Sequence, residues 1–389
     1  MYNVKLLNNI KSSALEKLDA AKYNVCAEIE NPNAILVRSA KLHDMEFNPE
    51  LLCIARAGAG VNNIPLDRCA EAGIVVFNTP GANAEGVKEL ALCSLFLSSR
   101  AVIDGVNWVK TIAGEGDEVP ALVEKNKSKY GGPEILGKTL GVVGLGAIGA
   151  KIANAACKLG MKVIGYDPFL SVNGALSLSR KIKLVDNLDE IYKNSDYITL
   201  HVPLLDATRQ FINGETITKM KPGVRIINLS RAELVCDDSI IAALDSGQVS
   251  CYVTDFPNAK TAGAKGVIAI PHLGASTPES EENCVSMACD EIIDYIENGN
   301  IVNSVNVASA SLPRSESPRI CVIHKNSPDA ASKITAAVSA LGVNTLNMLT
   351  ANAKGNIVSY SILDVDTLND GIKETVGGLD EVIKVRVLP

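Results

Sequence analysis

A chain of 389 residues has room for two or three domains, and 47% hydrophobic with 21% charged residues is ordinary for a folded protein. A formal charge of −7 excludes the broad basic face that nucleic acid or an anionic membrane requires, so neither partner is expected. An anionic small molecule would have to be met by a few placed arginines.

The ten cysteines include no Cys-x-x-Cys pair, which argues against a zinc site or a thioredoxin-like motif and for reduced, buried thiols. No metal is expected. The N-terminus begins as a short apolar strand and turns charged without the apolar core of a signal peptide, and no apolar run of roughly 18 residues follows. The expectation is a soluble, cytoplasmic protein.

In chain order, the short apolar runs 34–37, 52–55 and 74–77 read as buried strands separated by polar helical stretches, the pattern of a parallel α/β unit. A helix is expected over 85–109, and the polar, Gly/Lys-rich stretch 112–133 reads as a loop or partly helical connector. A second α/β series follows, with strands at 139–143, 162–166, 197–200, 225–228, 250–253 and 267–270, which make a doubly wound dinucleotide-binding sheet. One amphipathic helix is predicted over 278–297 and a short strand over 303–307. The Ser/Ala/Pro-rich stretch 308–318 has the composition of a linker. Beyond it, segments 319–324, 330–340, 345–349, 357–364, 366–375 and 382–387 read β-α-β-β-α-β, a ferredoxin-like domain.

Gly144-Leu145-Gly146-Ala147-Ile148-Gly149 is a G-x-G-x-x-G that follows a strand and opens a helix, with Asp167 about 20 residues on. The glycines let the backbone approach a pyrophosphate, and the helix N-terminus supplies N–H donors and a positive dipole end. Asp167 would accept from ribose hydroxyls and repel a 2′-phosphate, which predicts NAD rather than NADP. Of the four histidines, His272 sits just past the last strand of this sheet, where a general acid/base belongs. His201 also ends a strand and is expected to line the cofactor pocket. His43 reads as a surface residue. Arg231, just past another strand end, could clamp a carboxylate bidentately.

Taken with Val37-Arg38-Ser39, Arg56-Ala57-Gly58-Ala59-Gly60, Asn78-Thr79-Pro80-Gly81, His201-Val202-Pro203, Asn228-Leu229-Ser230-Arg231 and Pro271-His272-Leu273-Gly274-Ala275-Ser276-Thr277, the chain resembles the D-2-hydroxyacid dehydrogenase family over about 300 residues, most of all its phosphoglycerate dehydrogenase branch. The resemblance implies a nucleotide domain (87–277) inserted in a smaller flavodoxin-like substrate domain (1–86 and 278–308), then a linker (309–318) and a C-terminal domain (319–389). It implies oxidation of 3-phospho-D-glycerate with NAD, the first step of phosphorylated serine biosynthesis. His272 would take the C2 hydroxyl proton and Arg231 would hold the carboxylate. Arg38 and Arg56 would hold the phosphate, with Ser39, Ala57 and Gly58 beside the substrate. Besides the glycine turn, the cofactor lining would include Ala147, Ile148, Val202, Pro203, Thr208, Leu229, Asp255, His272 and Gly274.

The family pairs its histidine with a glutamate, yet no glutamate lies between Glu233 and Glu279, which leaves Asp255 as the nearest acid. Ala232 stands where a glycine is usual. The C-terminal domain resembles an ACT domain, which implies L-serine as an effector held by His324, Asn326 and Asn344 across an interface between two copies. Asp329 replaces the glycine usual there, and a purely oligomerising domain fits as well. A homodimer or homotetramer is expected. The alternatives are a glyoxylate/hydroxypyruvate reductase on the same fold, or an NAD-sensing interaction protein similar to the C-terminal-binding-protein corepressors.

Overall fold

The computed structural model describes residues 1–352 and 358–389; Ile357, the first residue of one predicted strand, lies outside them. The chain forms two compact units, residues 83–280, and residues 1–82 together with 281–389.

The first part of the second of these is a five-stranded parallel sheet of β1 (Tyr2–Leu7), β2 (Tyr23–Cys26), β3 (Ala34–Val37), β4 (Cys53–Arg56) and β5 (Val75–Asn78), in the order β2-β1-β3-β4-β5. This is the flavodoxin-like order. β3 is buried on both faces, as a central parallel strand must be. The helix Pro278–Ile293 closes one side with Cys284, Val285, Ala288, Cys289 and Ile292, and continues as a π-helical turn, Asp294–Asn298, ended by Gly299 at φ +74°.

Unit 83–280 holds β6 (Thr139–Val143), β7 (Lys162–Tyr166), β8 (Lys183–Leu184), β9 (Tyr197–Leu200), β10 (Val224–Asn228), β11 (Val249–Thr254) and β12 (Val267–Ala269). All pair in parallel in the order β12-β11-β10-β9-β6-β7-β8. Counted from β6 this is 3-2-1-4-5-6 with one strand added, so the order reverses between β6 and β9. No described helix is long and apolar enough to cross a membrane.

The C-terminal residues form β13 (Arg319–Lys325), β14 (Thr345–Ala351), β15 (Val358–Val365) and β16 (Val382–Leu388), an antiparallel sheet in the order β14-β15-β13-β16 with helices Ala330–Ala340 and Ile372–Gly377. The fold is therefore α/β, with two parallel sheets and a ferredoxin-like β-α-β-β-α-β domain. Side chains alternate along each strand. Ile320, Val322, Leu363 and Val365 pack under the two helices, while Cys321, Ile323, Tyr360 and Ile362 join one core with Cys53, Phe77 and Tyr295.

Several elements differ from their predicted form. The helix predicted over 85–109 is two helices, Ala84–Ser99 and Val102–Thr111, because Arg100 is extended. The last carbonyls of the first helix serve other partners: Arg225 Nε donates to Ser98 O at 2.8 Å, and the Gly132 backbone lies so close to Ser99 O that a Cβ there would sit 2.0 Å away. The connector 112–133 contains the helix Val119–Asn126. The strand predicted over 303–307 does not form. Asn303 takes φ +58°, the backbone makes a single antiparallel bridge between Phe77 and Ser304, and the Asn306 side chain extends that pairing by accepting from Val76 N (2.8 Å) and donating to Ile74 O (2.9 Å) along the edge of β5. The helix predicted over 366–375 begins only at Ile372. Residues 309–318 are not a loose tether: Ala310 is buried, pairs with Ile301, and Leu312 N bonds Asn300 Oδ1.

Glu291, buried in the helix Pro278–Ile293, accepts from Asn303 Nδ2 through one oxygen, and its other oxygen has no partner among the described residues. Burial pushes its carboxyl up to about 8. With the folded value above the unfolded one, its contribution is complete below about pH 4.5 and is lost as pH rises toward 8. Glu291→Gln is expected to remove that decline, a gain at pH 8 of at most roughly 3–5 kcal/mol. Thermal midpoints of both proteins across pH 5–9 check this; parallel curves would refute it.

Candidate active site

Every predicted residue of the nucleotide unit lies at the C-terminal ends of its strands, the edge where open parallel sheets bind ligands. The turn after β6 gives each glycine a distinct mechanical reason. Gly144 has φ +90°, and a Cβ on it would lie 2.3 Å from His201 O, across the point where strand order reverses. A Cβ on Gly149 would lie 1.9 Å from Gly144 O, so only glycine lets the helix approach the strand. A Cβ on Gly146 would meet nothing within 4 Å; that side of the turn is open. The helix Ala147–Lys158 starts there with no side-chain cap, leaving its first N–H groups for an anion.

Asp167, after β7, accepts from Leu145 N at 2.8 Å and Phe169 N at 2.9 Å, and its carboxylate lines a groove with Gly146, Ala147 and Lys151. Open glycine, uncapped helix and carboxylate together fit a dinucleotide. His201 Nε2 lies 2.8 Å from Thr199 Oγ1, and its buried Nδ1 has no partner among the described residues. Burial holds the imidazole down at about 3, so the ring is neutral at ordinary pH. The Thr208 hydroxyl is committed to its own turn, donating to Pro203 O at 2.7 Å and accepting from Leu205 N.

The ends of β10, β11 and β12 bring Arg231, Asp255 and His272 together around Phe256. The His272 ring centroid is 4.5 Å from that of Phe256, tilted by 49°, and Arg231 Cζ stands 5.9 Å from the same centroid. Arg231 is held by its backbone: buried Asn228 donates through Nδ2 to Arg231 O at 2.8 Å and accepts from Ser230 N at 3.2 Å. Asp255 is 1% exposed, its Oδ1 has no partner among the described residues, and it accepts from the Gly274 amide. Burial raises its carboxyl above the usual range, against the opposing pull of His272, Gly274 N–H and Arg231.

In the other unit, Arg38 follows β3 and Arg56 is the last residue of the adjacent β4. Arg56 Nε donates to Arg38 O at 3.1 Å, and Arg38 Nη2 pairs with Glu281 Oε1 at 2.5 Å. Gly58 sits at φ +149° under the Arg56 guanidinium, where a Cβ would come within 2.5 Å of Nη1; Gly58 N donates to Thr79 Oγ1. Ser39 N donates to Asn8 Oδ1 at 2.9 Å, and Ala57 is buried. The sheet thus presents two guanidiniums and a side-chain-free backbone at one edge.

Residues 98–274 match the NAD-binding domain of D-isomer-specific 2-hydroxyacid dehydrogenases. A hydroxypyruvate reductase of Thermotoga maritima is 36% identical over 284 residues, covering 70% of this chain and 86% of the relative. The chain belongs to the D-isomer-specific 2-hydroxyacid dehydrogenase family. A D-3-phosphoglycerate dehydrogenase of Pongo abelii is 32% identical over 311 residues, or 78% of this chain, but this chain spans only 56% of that relative's length. Among solved structures, the NAD⁺-bound 3-phosphoglycerate dehydrogenase of Entamoeba histolytica superposes with a TM-score of 0.61 at 25% identity, covering 78% of this chain and 98% of that one.

For this member of the 2-hydroxyacid dehydrogenases, sequence reasoning found Arg231, Asp255 and His272 but missed Phe256 and Asn228. The signal was present, since both flank predicted residues, but the role of Phe256 depends on how the ends of β10, β11 and β12 are brought side by side. The effector residues do not converge within one chain. His324 pairs across from Ser359 at one end of the sheet, while Asn344 immediately precedes Thr345, which pairs with Val365 at the other end, roughly 20 Å away. His324 is buried, with Nε2 2.9 Å from Ser361 Oγ and Nδ1 2.9 Å from Lys325 O, and burial lowers its pKa. Asn344 bonds Asp366 through its amide nitrogens, and Asp329 pairs with Lys333 at 2.7 Å. Asn326 follows β13 at the His324 end.

Proposed function

We propose that the protein oxidises 3-phospho-D-glycerate to 3-phosphohydroxypyruvate with NAD. The observation that carries the dehydrogenase reading is the Arg231–Phe256–His272 cluster at the same strand-end edge of the sheet as the open glycine turn. In this reading His272 accepts the C2 hydroxyl proton as the hydroxyl becomes a carbonyl, and Arg231 holds the carboxylate and the developing carbonyl oxygen. Gly144, Gly146, Gly149 and Asp167 would hold NAD, which when bound would supply the acceptor for the hydrogen and electron pair leaving C2. Asp255 fixes the His272 loop through the Gly274 amide. Arg38 and Arg56 take the phosphate, and Ala57 and Gly58 leave room for the substrate beside them.

The same reading includes a homo-oligomer, supported by the helix Val102–Thr111, which buries no residue and exposes Val102, Ile103, Val106 and Val109. All ten cysteines are free thiols, which favours a reducing, cytoplasmic compartment. Serine regulation through the ACT-like domain would need His324, Asn326 and Asn344 from two copies.

A second reading, reduction of hydroxypyruvate or glyoxylate, is favoured by the Thermotoga maritima relative and by the Arg38–Glu281 pair, which already neutralises one arginine. Arginine truncation separates the two. Arg38→Ala and Arg56→Ala are each expected to raise KM for 3-phosphoglycerate about 10–100-fold, the loss of one charge-assisted bond set, with KM for hydroxypyruvate little changed. Unchanged kinetics on both compounds would remove the phosphate assignment. No NAD-linked turnover of either compound by the wild type would refute the enzyme reading altogether.

A further inference from the structure

Phe256 has no assigned part, yet it touches both groups on which the proposed chemistry depends. Its ring is half-buried at the end of β11, with the His272 imidazole on it at 4.5 Å and the Arg231 guanidinium 5.9 Å from its centre. The loop carrying His272 has little else to fix the ring. It lacks regular structure, His272 is exposed, and among the described residues no group hydrogen-bonds either ring nitrogen. Among the described residues its one hydrogen bond is made by its own carbonyl, which accepts from Ser276 Oγ at 3.3 Å.

Asp255, the preceding residue, grips the same loop through the Gly274 amide, two residues beyond the histidine. Successive residues of one strand end therefore hold the backbone and the ring of the His272 loop. An aromatic face is suited to this task. It attracts cations, so it favours an imidazole that gains a proton and a guanidinium that always carries one. It also fixes the ring plane without occupying either nitrogen, which leaves one free to meet a substrate hydroxyl.

We infer that Phe256 is a positioning residue that sets the His272 imidazole, and secondarily the Arg231 guanidinium, by a tilted ring-to-ring contact, in place of a carboxylate hydrogen-bonded to the histidine. This rests on the dehydrogenase reading for its kinetic consequence, but the contact itself is testable without turnover.

The test compares wild type, Phe256→Leu and Phe256→Tyr in the full-length protein. With four histidines in the chain, the imidazole proton resonances can be assigned by difference against His272→Ala. In the wild type and Phe256→Tyr, the His272 ring protons should be displaced by the ring current of residue 256; in Phe256→Leu that displacement should vanish. Leucine fills a similar apolar volume, so a role in packing alone would leave its activity intact. Positioning instead predicts that kcat falls about 10–100-fold in Phe256→Leu with KM for NAD unchanged, and that Phe256→Tyr recovers most of the loss. Equal kcat in Phe256→Leu and wild type, or no ring-current shift in the wild type, overturns the inference. A ring-current shift in a protein without turnover would retain the contact and refute the dehydrogenase reading instead.

Discussion

His272→Ala is expected to lower kcat for NAD-linked oxidation about 10²–10⁴-fold, the range a positioned general base supplies, while leaving NAD affinity near that of the wild type. The separation follows from the placement of the groups. His272 lies after β12, whereas the glycine turn and Asp167 lie after β6 and β7, on the far side of β9, β10 and β11 in the sheet order. Initial rates and a direct NAD titration on the same preparation check both halves. If the wild type binds NAD but turns over neither 3-phosphoglycerate nor hydroxypyruvate, the sensing protein becomes the better account, and the variant would then change nothing measurable.

Arg319→Ala is expected to destabilise unit 1–82 with 281–389 by about 3–5 kcal/mol. Arg319 is fully buried, and Nε and Nη2 meet Asp364 at 2.7 and 3.2 Å. Its remaining donors reach Asn298 O (2.7 Å), Leu312 O (3.0 Å) and Pro313 O (3.0 Å). One guanidinium thus ties β13 to β15, to the end of the π-helical turn and to the segment between them. Truncation strands a buried carboxylate and three carbonyls. Asp364→Leu added to Arg319→Met removes the stranded charge and should recover part of the loss, though not the carbonyl bonds. Urea denaturation midpoints of the three proteins decide it; a loss below 1 kcal/mol in Arg319→Ala would mean that water reaches the pair.

Arg386 repeats the device, donating to Tyr295 O at 2.9 Å and Ile296 O at 2.7 Å, while Lys384 reaches Leu51 O at 2.7 Å. The C-terminal sheet is therefore joined to the flavodoxin-like sheet by buried charges and a shared core. In the sequence, the stretch 308–318 offered only the composition of a linker. Composition reports what a segment can do when isolated; Ala310 and Leu312 are apolar enough to pack once two surfaces meet, and nothing local says that they will.

The nucleotide turn was legible for the opposite reason. Strand, glycines, helix and acid are consecutive, and most of these residue types answer a constraint imposed by near neighbours, as the Gly149 clash with Gly144 O demonstrates; Gly144 also answers β9, through His201 O. The strands β3, β6, β7 and β9 were equally readable because burial on both faces forces continuous apolar runs. Helix periodicity carried across Arg100 because Val102, Val106 and Val109 continue an apolar spacing of three and four; the break is imposed by Arg225 and Gly132, which approach from elsewhere.

By itself the amino-acid sequence determined the dinucleotide turn, the order of strands and helices, and the residue types at each strand end, since these depend on interactions a few residues long. Only the tertiary structure decided which strand ends become neighbours. That is how Phe256 comes to lie close to both His272 and Arg231, how Arg38 meets Glu281, and how the Asn306 side chain bonds along β5, because each contact joins residues from separate segments of the chain.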